Sequence, residues 1–272
     1  MVGLVPVTVG VVFRPQQPPE ELEAVVRAVD EAGVPELWLW EDCFLEGGLS
    51  TATAALARSQ RVRVGVGLLP VPLRNPALVA MEIATIARLF PDRFVPAVGH
   101  GVLEWMGQVG ARVSSPMTLL REHAVAVRDL LDGQRVDVDG RYVHLDGVAL
   151  DWPPQTRPPL LVGARGDKTV RLAGEVADGV LLDSVRDADA VRRGRRLVDE
   201  GREASGRPGR ALVTIYTEVD PVQPPSTLAA QVALRVAAFR EAGADTVVLQ
   251  STGERPDPRP LVEALAAGGL LA

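Results

Sequence analysis

The sequence contains few of the residues that build several common kinds of site. Cys43 is the single cysteine among 272 residues, so no internal disulfide can form, and a reducing, cytoplasmic location is expected. The three histidines form no H-E-x-x-H motif, and a C-x-x-C pair is absent, which disfavours a metal site. Neither a Walker loop nor a G-x-G-x-x-G fingerprint is present. We therefore expect no bound metal and neither of these two common nucleotide-binding loops.

The chain also lacks an excess of positive charge and a long apolar run. Its net charge is -6, so a broad basic surface for nucleic acid is not expected. The apolar stretch 2–13 is too short to cross a bilayer, so no membrane partner is expected either. The expected partner is a small-molecule substrate. Lys168 is the sole lysine, and all other cationic side chains are arginine.

Short β-branched runs alternate with amphipathic helical segments along the whole chain. The strands are predicted at Val7–Phe13, Leu37–Trp40, Val62–Leu69, Phe94–Val98, Leu160–Val162, Gly179–Leu182, Leu212–Thr217 and Thr246–Leu249. A helical pattern follows each of them, and eight such units predict an α/β fold, a single (β/α)8 TIM barrel over residues 1–272. Asp139-Gly140 predicts a short β-hairpin excursion after the fourth helix.

A glycine-containing turn follows the fifth predicted strand and begins a helix. It runs through Gly163, Ala164, Arg165, Gly166, Asp167, Lys168 and Thr169. Glycines permit close approach of a ligand to the backbone, and the start of a helix offers unpaired N–H groups to an anion. The pattern fits a phosphate-binding turn, and it equally fits an ordinary strand-to-helix turn with Asp167 as N-cap. Both interpretations stay open at this point.

Two further groups of polar residues follow predicted strands, where a barrel places its active site. His100 lies between Gly99 and Gly101, so its imidazole can reach the barrel mouth as a phosphate donor or proton carrier, or simply pack. Glu41 and Asp42 end the second strand, where carboxylates orient or protonate a ligand, or cap the following loop.

The remaining histidines, Cys43, Trp38 and Trp40 are given structural roles. His123 and His144 lie far from the predicted mouth, on the fourth helix and the hairpin. Trp38 and Trp40 are assigned to the core, and Trp105 is a candidate for stacking on a ring. Cys43 is expected to be a small buried apolar residue, since no histidine base lies near it in sequence.

Four stretches of sequence, in order and at consistent spacing, resemble the luciferase-like monooxygenase family, and most of all its branch dependent on the deazaflavin coenzyme F420. They are Leu37–Asp42, Arg61–Pro70 continuing through Arg74-Asn75-Pro76, Asp92–Gly101 with Glu104-Trp105-Met106, and Leu160–Leu182. Together they cover about residues 5–183.

This resemblance implies a deazaflavin ring in the barrel mouth and hydride transfer to or from a small organic substrate. It implies phosphate contacts at His100 and the 163–169 turn, and ring contacts along Gly65, Val66, Gly67 and Leu68. A non-prolyl cis peptide is expected at or near Gly65-Val66. Many relatives have Asp-His where this chain has Asp42-Cys43, so proton transfer is assigned to Glu41 or Asp42. Relatives often form homodimers, which predicts one here.

Three alternatives remain from the sequence. The first keeps the fold with FMN as the cofactor of a two-component monooxygenase. The second is a non-redox barrel acting on a phosphate ligand, for which a catalytic lysine or a strong base at a strand end is expected, whereas Lys168 lies at a helix start. The third is a catalytically silent barrel that only binds the cofactor.

Overall fold

The computed structural model describes residues 7–271 and shows a closed barrel of eight parallel strands. The barrel strands are β1 (Thr8–Phe13), β2 (Glu36–Leu39), β3 (Arg63–Pro70), β4 (Phe94–Gly99), β7 (Leu161–Ala164), β8 (Gly179–Leu182), β9 (Leu212–Glu218) and β10 (Thr246–Gln250). They are hydrogen-bonded in chain order, and β10 pairs with β1 to close the cylinder. The predicted (β/α)8 architecture is confirmed. The first residues of the apolar stretch 2–13 lie outside the described part.

A two-stranded antiparallel hairpin and a ring of helices surround the barrel. The helices are α1 (Leu22–Ala32), α2 (Gly48–Ala57), α3 (Pro76–Leu89), α4 (Leu103–Gln108), α5 (Pro116–Leu131), α6 (Asp167–Val176), α7 (Ala188–Ala204), α8 (Pro225–Glu241) and α9 (Arg259–Ala267). The hairpin, β5 (Val136–Asp139) and β6 (His144–Val148), follows α5, as predicted. The short helix α4 was not predicted, because six residues are too few to show a helical period. Within residues 7–271, no helix is both long and apolar enough to cross a bilayer.

Alternate residues along each strand point to opposite sides of the barrel wall. On β1, Val11 and Phe13 pack outward against the helices, whereas Val12 faces the interior. On β8, Val180 and Leu182 face outward, and Leu181 faces inward. The strands are apolar on both faces because both faces are buried, which explains why the sequence shows continuous hydrophobic runs.

Trp38 fills the lower part of the barrel interior and so determines how deep the mouth can be. Its indole N–H donates to the Glu36 carboxylate at 2.8 Å, and Arg63 pairs with the same carboxylate at 3.0 Å. A Cβ at Gly65 would lie 2.4 Å from the Trp38 ring, and one at Gly10 would lie 2.9 Å from the Glu36 carbonyl. Glycine at position 65 makes room for the indole, glycine at position 10 makes room for the Glu36 backbone, and the interior above the indole is left for a ligand.

Helices α6 and α7 make the closest backbone approach of the outer layer. A Cβ on Gly174 of α6 would lie 2.0 Å from the Val198 carbonyl oxygen, and one on Gly201 of α7 would lie 2.0 Å from the Arg171 carbonyl oxygen. These two glycines let the helices pack backbone to backbone. The contact lies near the carboxyl ends of both helices, and at the amino end of α6 the Asp167 carboxylate pairs with Arg193 of α7.

Candidate active site

A cavity of about 660 Å³ opens at the carboxyl ends of the strands, and each of the eight barrel strands, or the loop after it, contributes to its wall. Of the residues predicted to form the site, those lining it are Glu41, Asp42, Gly67, Leu68, His100, Gly101, Gly163, Ala164, Arg165, Gly166 and Thr169. Gly65, Val66, Gly99, Asp167 and Lys168 do not line it. The volume lies within the range of about 300–1,000 Å³ usual for small-molecule and cofactor sites.

His100 and Thr169 come together at the β4–β7 side of the cavity. The His100 Nε2 lies 3.2 Å from the Thr169 hydroxyl oxygen, although 69 positions separate them in sequence. Burial lowers the pKa of His100, and the Pro116 carbonyl acts in the opposite direction, so the ring is neutral at pH 7. Its Nδ1 is buried and makes no hydrogen bond of good geometry within residues 7–271. The pair offers polar atoms to a ligand.

The amino end of α6 lies beside this pair. Gly166 is the N-cap residue, so the interpretation of Asp167 as N-cap is wrong. Asp167 is instead the first helical residue, and its carboxylate pairs with Arg193 of α7, 3.1 Å from the guanidinium Nε. Lys168 is exposed. The first-turn amides of Asp167 and Lys168 have no acceptors within the helix, and the helix dipole favours an anion there.

Leu68 forms the wall of the cavity next to these groups. A Cβ at Gly99 would lie 2.5 Å from Leu68 Cδ2, and one at Gly163 would lie 2.3 Å from the same atom. These two glycines therefore make room for the Leu68 side chain. The non-prolyl cis peptide joins Gly67 to Leu68, two residues after the expected position, and a second one joins Cys43 to Phe44.

Gly65 and Val66 do not reach the cavity, because Gly65 lies too deep in the barrel and the Val66 side chain points outward. Gly65 packs against the Trp38 ring below the mouth, and Val66 is fully buried in the layer between barrel and helices. Gly67, one residue further, reaches the cavity, where its absent Cβ leaves room for the Tyr216 hydroxyl.

The two candidate carboxylates differ in their partners. Glu41 accepts hydrogen bonds from both terminal nitrogens of Arg74, with Oε2 at 2.7 Å from one of them, and from the Gly48 amide at 2.8 Å. The Arg74 carbonyl lies 3.2 Å from Nε2 of the buried His123. Glu41 is therefore held in place by a paired, hydrogen-bonded network on the wall of the cavity.

Asp42 lines the cavity without such a partner. No protein group donates a hydrogen bond to its carboxylate within residues 7–271. Burial raises the pKa of Asp42, the negative charge of Asp183 raises it further, and Arg14 and Arg165 lower it. Asp183 is itself bound by Arg165, with 2.6 Å between Nε and Oδ2. A carboxyl group with a raised pKa facing a cavity is suited to proton transfer.

Aromatic residues account for most of what the sequence interpretation missed. Trp40 had been assigned to the core, but its half-buried ring lines the cavity, 6.0 Å from Tyr216 and 4.8 Å from the Arg14 guanidinium. Tyr216 had not been singled out, and burial raises its pKa well above that of free tyrosine. Trp105, the candidate stacking partner, also lines the cavity.

Cys43 follows Asp42 but is only partly buried, contrary to expectation. Burial raises the pKa of its thiol, and the neighbouring charges of Glu41 and Asp42 raise it further. The thiol stays protonated near neutral pH, which does not favour a role as nucleophile.

Comparison with known proteins agrees with this architecture. A 5,10-methylenetetrahydromethanopterin reductase from Methanolobus tindarius is 26% identical over 251 residues, covering 92% of this chain and 76% of that protein. An F420-dependent glucose-6-phosphate dehydrogenase from Nakamurella multipartita is 30% identical over 183 residues, covering 61% of this chain and 52% of that one.

Solved structures show the same fold. An F420-dependent secondary alcohol dehydrogenase superposes with a TM-score of 0.83 at 18% identity, covering 98% of this chain and 100% of that chain. The oxygenating constituent of 3,6-diketocamphane monooxygenase from Pseudomonas putida, in complex with FMN, reaches 0.77 at 14% identity, covering 98% and 99%. The model of the family described as luciferase-like monooxygenase matches residues 3–255. The resemblance seen in the sequence is confirmed: this chain belongs to the luciferase-like monooxygenase family.

Proposed function

We propose that this protein is an oxidoreductase that binds coenzyme F420 in the barrel mouth and transfers a hydride to or from a small organic substrate. The observation that carries the proposal is the meeting of His100 and Thr169 at the amino end of α6, next to the apolar wall of Leu68. Relatives similar to this chain include an F420-dependent dehydrogenase, which favours F420 over FMN.

The residues present fit a phosphate-bearing tricyclic ring. His100, the Thr169 hydroxyl and the first-turn amides of α6 supply hydrogen bonds for the phosphate. Leu68 and the Trp40 ring supply apolar surface on two sides of the cavity. The cavity is large enough for the ring together with a small substrate.

When bound, the coenzyme supplies a ring carbon that gives or accepts the hydride. The protein holds and orients the partners and keeps water from the reacting atoms. Asp42 donates the accompanying proton when the substrate is reduced and accepts it when the substrate is oxidised, through its carboxyl oxygen. Glu41 remains the second candidate for this proton transfer, although its pairing with Arg74 favours a positioning role.

Cofactor binding is the first test. We expect the purified protein to bind F420 with sub-micromolar affinity in a fluorescence titration, and to bind FMN more weakly. His100→Ala and Thr169→Val should each weaken F420 binding by about tenfold, because each removes a phosphate contact. His144→Ala, on the exposed hairpin, is the matched control and should bind as the wild type does. Tight binding of FMN alone would contradict the assignment of F420.

Turnover is the second test and separates the enzyme from a silent cofactor-binding barrel. Protein loaded with reduced F420 is mixed with a panel of small ketones, imines and activated alkenes, and the absorbance of the oxidised coenzyme is followed in a single turnover. We expect at least one of these classes to oxidise the bound coenzyme far faster than the free coenzyme. Tight binding without any accelerated oxidation would support the silent barrel instead.

We further propose that the protein is a cytoplasmic homodimer. Leu78 and Met81 are exposed apolar side chains one turn apart on α3, Leu89 is a third at its carboxyl end, and Trp152 is an exposed indole stacked on Arg88 of the same helix. Exposed apolar side chains grouped on one face are typical of a surface that packs against another chain. Light scattering after size-exclusion chromatography should give twice the mass of 29.0 kDa for the wild type and the monomer mass for Met81→Glu.

A further inference from the structure

The side of the mouth opposite the phosphate-binding groups has polar residues that the proposed function leaves without a role. In the barrel order, β10 stands directly across from β4, and β1 stands across from β7. Gln250, the last residue of β10, and Arg14, just after β1, line the cavity there. A ligand whose phosphate is bound at His100 and Thr169 can extend across the mouth. The end of the ligand remote from the phosphate then lies at Gln250 and Arg14.

Gln250 is buried but unsatisfied. The residue is 6% exposed, and its side-chain Oε1 has no hydrogen-bond partner within residues 7–271. Its neighbour across the strand pair is Glu218 of β9, which makes its ion pair with Arg14 instead, at 3.4 Å. A buried amide without a partner is unfavourable, and at the wall of a cavity it is explained by a ligand that supplies the missing hydrogen bond.

Arg14 is fixed next to this amide. Its guanidinium donates to the Ser251 carbonyl and to the Gln16 amide oxygen, and it stacks on Trp40 at 4.8 Å. These contacts hold its positive charge at this end of the cavity.

The charge of Arg14 at this end of the cavity is already paired, because its guanidinium lies 3.4 Å from the Glu218 carboxylate. An anionic ligand group here would have to compete with Glu218 for Arg14. A neutral polar group fits better.

We propose that Gln250 binds the neutral H–N–C=O edge of a lactam or cyclic imide at the end of the cavity remote from the phosphate. A primary amide and such an edge each have one donor and one acceptor side by side, so they pair through two hydrogen bonds in either orientation of the Gln250 side chain. Arg14 adds positive charge near the ligand carbonyl. This inference rests on the proposed function, because the phosphate site at His100 and Thr169 determines which end of the ligand reaches Gln250.

Two sources can present this edge: the pyrimidinedione ring of the coenzyme itself, or the substrate. Riboflavin and 3-methylriboflavin form one probe pair, because they carry the same edge with and without its N–H and have no phosphate. δ-Valerolactam and its N-methyl derivative form the second pair, measured by saturation-transfer NMR with and without F420. Each pair is measured on the wild type, on Gln250→Leu, and on Gln223→Leu, which alters an exposed glutamine elsewhere.

If the coenzyme supplies the edge, the wild type binds riboflavin about tenfold more tightly than 3-methylriboflavin, and Gln250→Leu removes that preference. If the substrate supplies it, the flavin pair binds equally, and the lactam is preferred over its N-methyl derivative until Gln250 is replaced. The proposal is overturned if the wild type discriminates neither pair, a result that needs no variant to fold. It is also overturned if a preference survives in Gln250→Leu. Failure of the proposed function can be distinguished from failure of this inference, because the proposed function is tested by the binding of F420 and FMN.

Discussion

Asp42 illustrates how a single carboxyl group is adjusted by its surroundings. Burial and the charge of Asp183 raise its pKa, and Arg14 and Arg165 work against them. In its proposed role as proton donor Asp42 must be protonated, so the rate of substrate reduction should be high at low pH and fall as pH rises through its pKa. Asp42→Asn should lower that rate by about 10²–10⁴ while leaving F420 affinity nearly unchanged.

Asp183→Asn tests the sign of this electrostatic effect. It removes the like charge that raises the pKa of Asp42 and releases Arg165, which lowers that pKa. The loss of rate should therefore move to lower pH in a profile of single-turnover rate against pH. An unchanged profile, or a move to higher pH, would show that Asp42 is not the group that titrates.

His123 supports the site from behind, and its burial makes stability depend on pH. Its pKa falls from 6.5 to about 4 through burial, and the Arg74 carbonyl acts in the opposite direction. Between these pH values the unfolded chain binds a proton that the folded chain does not. The free energy of unfolding contributed by His123 is therefore fully present above pH 6.5 and falls toward pH 4, by about 3 kcal/mol in all.

His123→Gln keeps a donor for the Arg74 carbonyl but cannot titrate. Urea unfolding at pH 7.0, 5.5 and 4.5 should show the wild type losing more stability than this variant as the pH falls. Parallel losses in both proteins would mean that other groups account for the pH dependence.

At the scale of elements, the contact between α6 and α7 leaves no room for a side chain at Gly174. Gly174→Ala places a methyl group against the Val198 carbonyl, and backbone atoms cannot rotate away as a side chain can. We expect a loss of about 1–3 kcal/mol in the free energy of unfolding, measured by chemical denaturation. Gly107→Ala in α4 is the control: its Cβ would meet nothing within 4 Å, and it should stabilise by about 0.5–1 kcal/mol.

The same element-level reasoning shows what sequence can and cannot predict about the site. Most strands and helices were predictable because the hydrophobic period and the turn residues that define them lie within short stretches of sequence. The period also gives the direction of each side chain, so Trp38 and Trp40 point the same way. It does not give the height in the barrel, which depends on strand tilt and register. Trp38, in β2, is thus buried below the mouth, and Trp40, just after β2, lines it, a difference that no local sequence pattern records.

Contacts between distant segments were the other part beyond sequence reasoning. His100 and Thr169 were each predicted as phosphate contacts, but their 3.2 Å approach depends on β4 pairing with β7, with α5 and a hairpin between them in sequence. Tyr216 and Gln250 lie outside the four stretches that resemble the family. Only barrel closure brings these two residues to the cavity.

At the scale of the whole molecule, ligand binding and folding are linked because the cavity wall draws on all eight strands. A coenzyme that binds only the folded barrel stabilises it by about 2.7 kcal/mol at 100 times its dissociation constant. For a chain of this size, the unfolding temperature should rise by at least about 4 °C in calorimetry, within one cooperative transition. The proposed phosphate site at His100 and Thr169 predicts that riboflavin at equal concentration gives a smaller rise than FMN, and that Thr169→Val reduces this difference. Two separate transitions, only one of them shifted by F420, would show that residues 7–271 do not unfold as one unit around the cavity.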